Sequence, residues 1–151
     1  MSARHGDSAS RRLLTHAIVD WPGPLITAST TTEILRDTHA RRAELGQVYV
    51  YGPQGISGGK TPTDGPALDP IEFLRAPNTL YLIGGRDGPG FVRGPLAALL
   101  DEIVEAARRK ALATACSTIA PPLGVVLDES DAVPLDFDLD AALQVARGST
   151  R

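Results

Sequence analysis

Thiols are the scarcest chemistry in this chain. A single cysteine, Cys116, excludes an internal disulfide and a cysteine-based zinc cage. It borders an alanine-rich helical run, where a thiol serves as a small buried hydrophobe rather than a nucleophile. The three histidines, His5, His16 and His39, are not paired at metal-ligand spacing. Aromatic residues make up 5% of the 151 positions, so a core must be built from Leu, Val, Ile and Ala. Long apolar runs are missing as well. None reaches the roughly 20 residues needed to span a bilayer, and the N-terminus lacks the apolar segment of a signal peptide. The chain is therefore expected to be cytoplasmic, with no membrane span. Excess positive charge is absent too: the formal net charge is −3, against the strongly basic balance of a nucleic-acid footprint. Arg11 with Arg12, Arg41 with Arg42, and the run from Arg108 to Lys110 are local clusters that read as solvated helix faces.

What is present suits one soluble domain with a modest core, 42% apolar and 22% charged. Residues 1–10 are polar and expected to fray. The LLTHAIV pattern predicts a short helix over 11–19, stopped by Trp21-Pro22-Gly23-Pro24. A strand follows at 25–28, apolar at successive positions as a strand buried on both faces should be. Thr30 and Glu33 have capping-box spacing for a helix running to about Glu44 and ending at Gly46. A second strand is expected at 47–51. Residues 52–70, rich in Gly, Pro, Ser and Thr, read as a flexible linker. Beyond it come a helical turn at 70–74, a strong strand at 79–83, and a Gly-rich turn at 84–90. Leu96, Leu99, Leu100, Ile103, Val104 and Ala107 then recur at helical spacing, with cations at the C-terminal end. A fourth strand is predicted at 123–127 and a last amphipathic stretch at 139–145. Strands alternating with helices predict an α/β fold, a mainly parallel sheet flanked by helices, in one domain over 1–151.

Three segments have the composition of chemical motifs. In GVVLDE, Gly124 to Glu129, an apolar strand delivers two carboxylates to a sheet edge. P-loop ATPases use such a pair, the aspartate in the Mg²⁺ shell and the glutamate polarising the attacking water. A polar turn after a buried strand has the same composition. The second segment, Gly55 to Thr61, approaches the phosphate loop G-x-x-x-x-G-K-[ST], but the first glycine falls one residue late and Gln54 holds its place. Pro62-Thr63-Asp64-Gly65-Pro66 follows, where a phosphate loop needs a helix N-terminus. Lys60 and Thr61 therefore read as part of a solvated linker. The third, Gly84 to Gly90, does not fit G-x-G-x-x-G and reads as a strand-to-helix connection.

Taken in order, these segments resemble a known family. HAIVDWPGPLITAST, a helix, and GQVYVYGPQGISG are similar to the stretch after the phosphate loop in TraG/TraD-type coupling proteins of conjugative type IV secretion. FLRAPNTLYLIG, LAALLDEIVEAARR and PPLGVVLDESDAVPL resemble that family's later strand, helix and Walker B segment, and Phe137 to Gly148 echoes its continuation. The resemblance runs from about Ser8 to Gly148, and its specificity lies in the order of the segments. It implies a partial P-loop NTPase (RecA-like) domain with Asp128 and Glu129 as catalytic positions and Asp128 as the metal position. Aligned from Asp20-Trp21-Pro22-Gly23, the family's G-K-[ST] falls on Ser8-Ala9-Ser10. Ser8 and Ser10 are then degenerate nucleotide-binding positions, and Ala9 stands where the phosphate-binding lysine is expected. Tyr51 stands where the family tends to carry an acidic residue.

By this resemblance the chain is a truncated, internally deleted relative of a conjugative coupling ATPase, with weak or no hydrolysis. ATP and Mg²⁺ are the implied cofactors. The implied partners are relaxosome or type IV secretion proteins, DNA, and an intact coupling protein. The family's membrane anchor and intervening helical domain are not encoded in these residues. Two alternatives stand beside it. One is a non-catalytic module docking on an intact coupling protein or a DNA-processing partner, and the other is a small NTPase using Lys60 and Thr61.

Overall fold

The computed structural model describes residues 4–29, 31–51, 68–83, 93–114 and 121–127. Eight elements follow in order: α1 (Arg4–Asp20), β1 (Leu25–Ser29), α2 (Glu33–Leu45), β2 (Val48–Tyr51), α3 (Pro70–Phe73), β3 (Thr79–Ile83), α4 (Arg93–Leu112) and β4 (Gly124–Leu127). The four strands form one sheet in the order β2-β3-β1-β4, and every pairing is parallel. The expected α/β fold with a parallel sheet is therefore present. No helix among the described residues is long and apolar enough to cross a membrane.

The sheet is sandwiched between two helical layers, and the period-two alternation of strand side chains sorts the core between them. On one face Leu25, Val50, Tyr81 and Ile83 meet Ile18 of α1 with Ile34 and Leu35 of α2. On the other, Ile26, Ala28, Leu80 and Leu82 meet Phe73 and Leu74, together with Leu100, Ile103 and Ala107 of α4. All five residues of β1 and of β3 are buried, which is why both strands are apolar on each face apart from Thr27, Ser29 and Thr79. The connection from β1 to β2 travels one way across the sheet and carries α2 on one face. The returns from β2 to β3 and from β3 to β4 travel the other way and carry α3 and α4 on the opposite face. A single crossover hand demands this division.

Several boundaries differ from expectation. Helix α1 begins at Arg4, so residues 4–10 are helical rather than frayed despite Gly6, and Arg11 pairs with Glu33 of α2 at 2.8 Å. Thr30 lies outside the described residues. Thr32 precedes α2, makes no side-chain cap bond, and supplies only its carbonyl to Arg36 N–H at 2.9 Å. The flexible segment expected over 52–70 lies outside the described residues as far as 67, but its end is structured. Leu68 is in the core, and the Asp69 carboxylate accepts from Ile71 and Glu72 N–H, capping α3 with Pro70 at its first position. The stretch at 139–145 and Cys116 lie outside the described residues.

Candidate functional site

Ligands of open parallel sheets gather outside the carboxyl ends of the strands, where neighbouring connections leave on opposite faces. Here that point falls between β1 and β3, since β1 feeds α2 and β3 feeds α4 on the other side. The chain leaves β1 through Ser29, which is buried, and Thr31. The Ser29 hydroxyl accepts from Thr31 N–H at 3.2 Å and lies 3.5 Å from the Thr31 hydroxyl. The Gly-rich segment 84–90, which leaves β3 at the same edge, lies outside the described residues.

The carboxylates singled out by sequence follow β4 directly. Asp128 and Glu129 are themselves outside the described residues, as are Gln54 and the whole of Gly55 to Thr61 with Lys60. The register pairs Ala28 with Leu127, so the chain leaves β4 at the same edge as Ser29. Strand β4 is an outer strand among those described. The Arg11–Glu33 ion pair ties the N-terminal half of α1 to the first turn of α2, which starts at that edge. Ser10 therefore belongs to the same end of the molecule as the exit of β4, and it is exposed. Ser8 and Ser10 both sit inside α1 rather than in a loop. Because α1 starts at Arg4, the four unpaired N–H groups of its first turn lie before Ser8, and the amides from Ser8 onward belong to the helical ladder. Among the described residues, no group of three or more His, Cys, Asp or Glu side chains is arranged to hold a metal ion. Tyr51 ends β2, half-buried against the main core.

The opposite edge holds what the sequence reading missed. Arg42 was grouped with Arg41 as a solvated cluster. Arg41 does face solvent, paired with Glu44 at 3.0 Å, but Arg42 is 0% exposed. Its guanidinium donates through Nε to the Thr79 hydroxyl (2.6 Å), through Nη1 to the carbonyls of Ile18 (3.4 Å) and Trp21 (2.7 Å), and through Nη2 to those of Gly23 (2.9 Å) and Pro77 (3.2 Å). One cation thus joins the end of α1, the entry to β1 and the entry to β3. Burial pulls the Arg42 pKa down, partly offset by Tyr81, yet an arginine stays protonated at any working pH. The signal was its spacing: Ile34, Leu35, Thr38 and Arg42 form the buried stripe of α2.

Around Arg42 the turns interlock. Asn78 accepts from Gln47 N–H (2.8 Å) and donates to the last carbonyls of α3, those of Glu72 and Phe73. Trp21 donates its indole N–H to the Pro122 carbonyl at 3.0 Å, joining the entries of β1 and β4. Gly124 is required there, because a Cβ would stand 2.5 Å from the Trp21 ring. Deeper in the sheet, the Thr38 hydroxyl donates to the Ile34 carbonyl (2.6 Å), so the Tyr81 hydroxyl 2.7 Å away is its donor. The Thr27 hydroxyl, on the same sheet face, has no hydrogen-bond partner.

A scan against protein-family models, a search of curated proteins and a search of solved structures each return no match.

Proposed function

We propose that this chain is a relative of the TraG/TraD-type coupling ATPases of conjugative type IV secretion, with a P-loop-type (RecA-like) sheet that does not turn over ATP. The observation that carries the reading is β4. Its GVVL sequence runs parallel beside β1, the chain leaves it at the edge where the Ser10 half of α1 stands, and Asp128-Glu129 come next in sequence. In an active relative, bound Mg-ATP would supply the phosphoryl chemistry at such an edge, with Asp128 and Glu129 as the metal and water positions.

The residues at the phosphate position do not fit that ligand. A phosphate needs free backbone N–H groups and a lysine. Here the amides of Ser8 and Ser10 belong to the α1 ladder, and Ala9 stands at the lysine position. No nucleotide-driven step is therefore assigned, and the function left to the chain is binding to relaxosome proteins, DNA or an intact coupling protein. The alternative is a non-catalytic interaction module docking on an intact coupling protein or a DNA-processing partner. It is favoured by β4, an outer strand among those described, whose half-exposed Val125 and Val126 carry no charge or proline to guard that edge.

Calorimetry on the full chain tests the first reading. Micromolar Mg-ATP should give no binding heat. A tight Mg²⁺-dependent isotherm abolished by Lys60→Ala would identify Gly55 to Thr61 as the working loop and overturn it. Co-sedimentation with an intact coupling protein tests the partner: co-migration supports docking on it, and its absence leaves DNA or a DNA-processing protein as the partner.

A further inference from the structure

A cleft of about 430 Å³ lies between α3 and the C-terminal half of α4, lined by Ile71, Leu74, Arg75, Ala106, Arg109 and Lys110. Its floor is apolar. Leu74 and Ala106 are buried beneath it, while Ile71 is 56% exposed at its lip. Its rim is cationic. Lys110 donates one of its three hydrogens to the Leu74 carbonyl at 2.9 Å, and Arg75 is paired with Glu72 at 2.8 Å. Arg109 is exposed and has no acidic partner among the described residues. An open apolar trough without converging polar groups suits peptide side chains better than a small polar ligand. The basic rim asks for acids between those side chains.

One segment of this chain has that pattern. Val133-Pro134-Leu135-Asp136-Phe137-Asp138-Leu139-Asp140 alternates apolar and acidic residues from Leu135 onward. In an extended conformation Leu135, Phe137 and Leu139 share one side and the aspartates the other. The reach is sufficient. Helix α4 ends near the edge where β3 begins, since Lys110 binds the carbonyl of Leu74, so the cleft lies about one strand length, some 13 Å, below Leu127. The helical layer adds about 10 Å. Eight residues from Leu127 to Leu135 span up to about 27 Å.

We propose that residues 133–140 dock in this cleft in cis, with Leu135, Phe137 and Leu139 on the apolar floor and Asp136, Asp138 and Asp140 among Arg75, Arg109 and Lys110. The docking is independent of the coupling-protein reading. Long cationic side chains are suited to this role, covering apolar surface with their stems while the charged heads meet acids at the rim.

Disulfide trapping in the full chain tests it. Ile71→Cys with Phe137→Cys, in a Cys116→Ser background, should oxidise at low concentration to a monomeric, faster-migrating species. A control pair with Leu13→Cys, exposed on α1, should oxidise far more slowly. A disulfide found only in dimers would make a second copy the occupant, and equal rates for the two pairs would mean no preferred seat; either overturns the proposal. Hydrogen exchange gives a second readout without new thiols. Arg109→Glu should speed exchange over 133–140 by about threefold or more, and adding Asp138→Lys should restore protection. Identical exchange in all three proteins would overturn the proposal as well.

Discussion

Each of the five guanidinium hydrogens of Arg42 has an acceptor, and no carboxylate is among them. Removing the side chain would leave buried carbonyls at three chain crossings without a donor. Arg42→Ala should therefore cost about 3 kcal/mol or more, at about 1–3 kcal/mol for each buried acceptor left unpaired, a large share of the roughly 5–15 kcal/mol that holds a domain together. Arg42→Lys should recover only part of that, because an ammonium has three donors and no planar fork. Urea midpoints rank the three proteins, and equal stability of the lysine variant and the parent would contradict the fork argument. Thr27 is the reverse case. Its buried hydroxyl has no partner, so Thr27→Val should raise stability by about 1 kcal/mol. A loss of stability would reveal a hidden partner for the hydroxyl. Tyr81 adds a pH dependence. Burial pushes its hydroxyl above the ordinary range, opposed in part by the Arg42 charge. With a raised folded pKa, its stabilisation is whole below the unfolded value of about 10 and is lost as pH climbs through the folded value. Tyr81→Phe should cost about 1 kcal/mol at neutral pH and lose less stability than the parent above about pH 10. Parallel decline of both proteins would refute the assignment.

At the scale of elements, legibility followed burial. Strands β1 and β3 were readable because both faces are covered, which leaves only Thr27, Ser29 and Thr79 polar, and α4 was readable from its three- and four-residue spacing. The first turns of α1 were not, because the polar sequence of residues 4–10 has no apolar stripe to read. Arg42 was hidden by its residue type and revealed only by its place on the stripe of α2. The expected carboxylate site was legible as far as the strand that leads to it, since the pairing of Ala28 with Leu127 follows from ladder register rather than from Asp128 or Glu129. The outer position of β4 was not legible, because strand order depends on which crossovers skip a neighbour. The joint between β1 and β4 makes a prediction at this scale. Gly124→Ala would set a methyl 2.5 Å from the Trp21 ring and 2.8 Å from the Leu25 side chain, so the indole must move off the Pro122 carbonyl. Overpacking of this kind costs about 1–3 kcal/mol. Trp21 is the sole tryptophan, so its emission should shift to the red and the urea midpoint should fall together. An unchanged spectrum with a lowered midpoint would place the strain elsewhere.

For the molecule as a whole, the decisive question is whether the edge shared by α1, β1 and β4 grips a nucleotide. Binding there would stabilise the folded state by mass action. At a concentration a hundred times the dissociation constant, a ligand adds about 2.7 kcal/mol. For a domain of this size each kcal/mol raises the melting temperature by about 2–4 °C, so saturating Mg-ATP would lift it by about 5–10 °C. The expected shift is within measurement error. Two causes act together, and they separate by mutation. On the proposed alignment Ala9 would stand in place of a lysine, a loss of about 1.5–3 kcal/mol for a charged hydrogen bond to phosphate. On the same alignment, helical hydrogen bonding at Ser8 and Ser10 would take the place of a backbone cradle. Ala9→Lys restores only the charge, and on an exposed helix it should leave the melting temperature equally indifferent to Mg-ATP. Thermal scans of parent and variant, with and without 100-fold ranges of nucleotide, decide between the causes. A Mg-ATP shift in the Ala9→Lys protein alone would mean that the lysine was the single missing part and that the first turns of α1 can open into a loop. A shift in the parent would mean that nucleotide is held without either, and the reading of this chain as a silent relative of the coupling ATPases would fall.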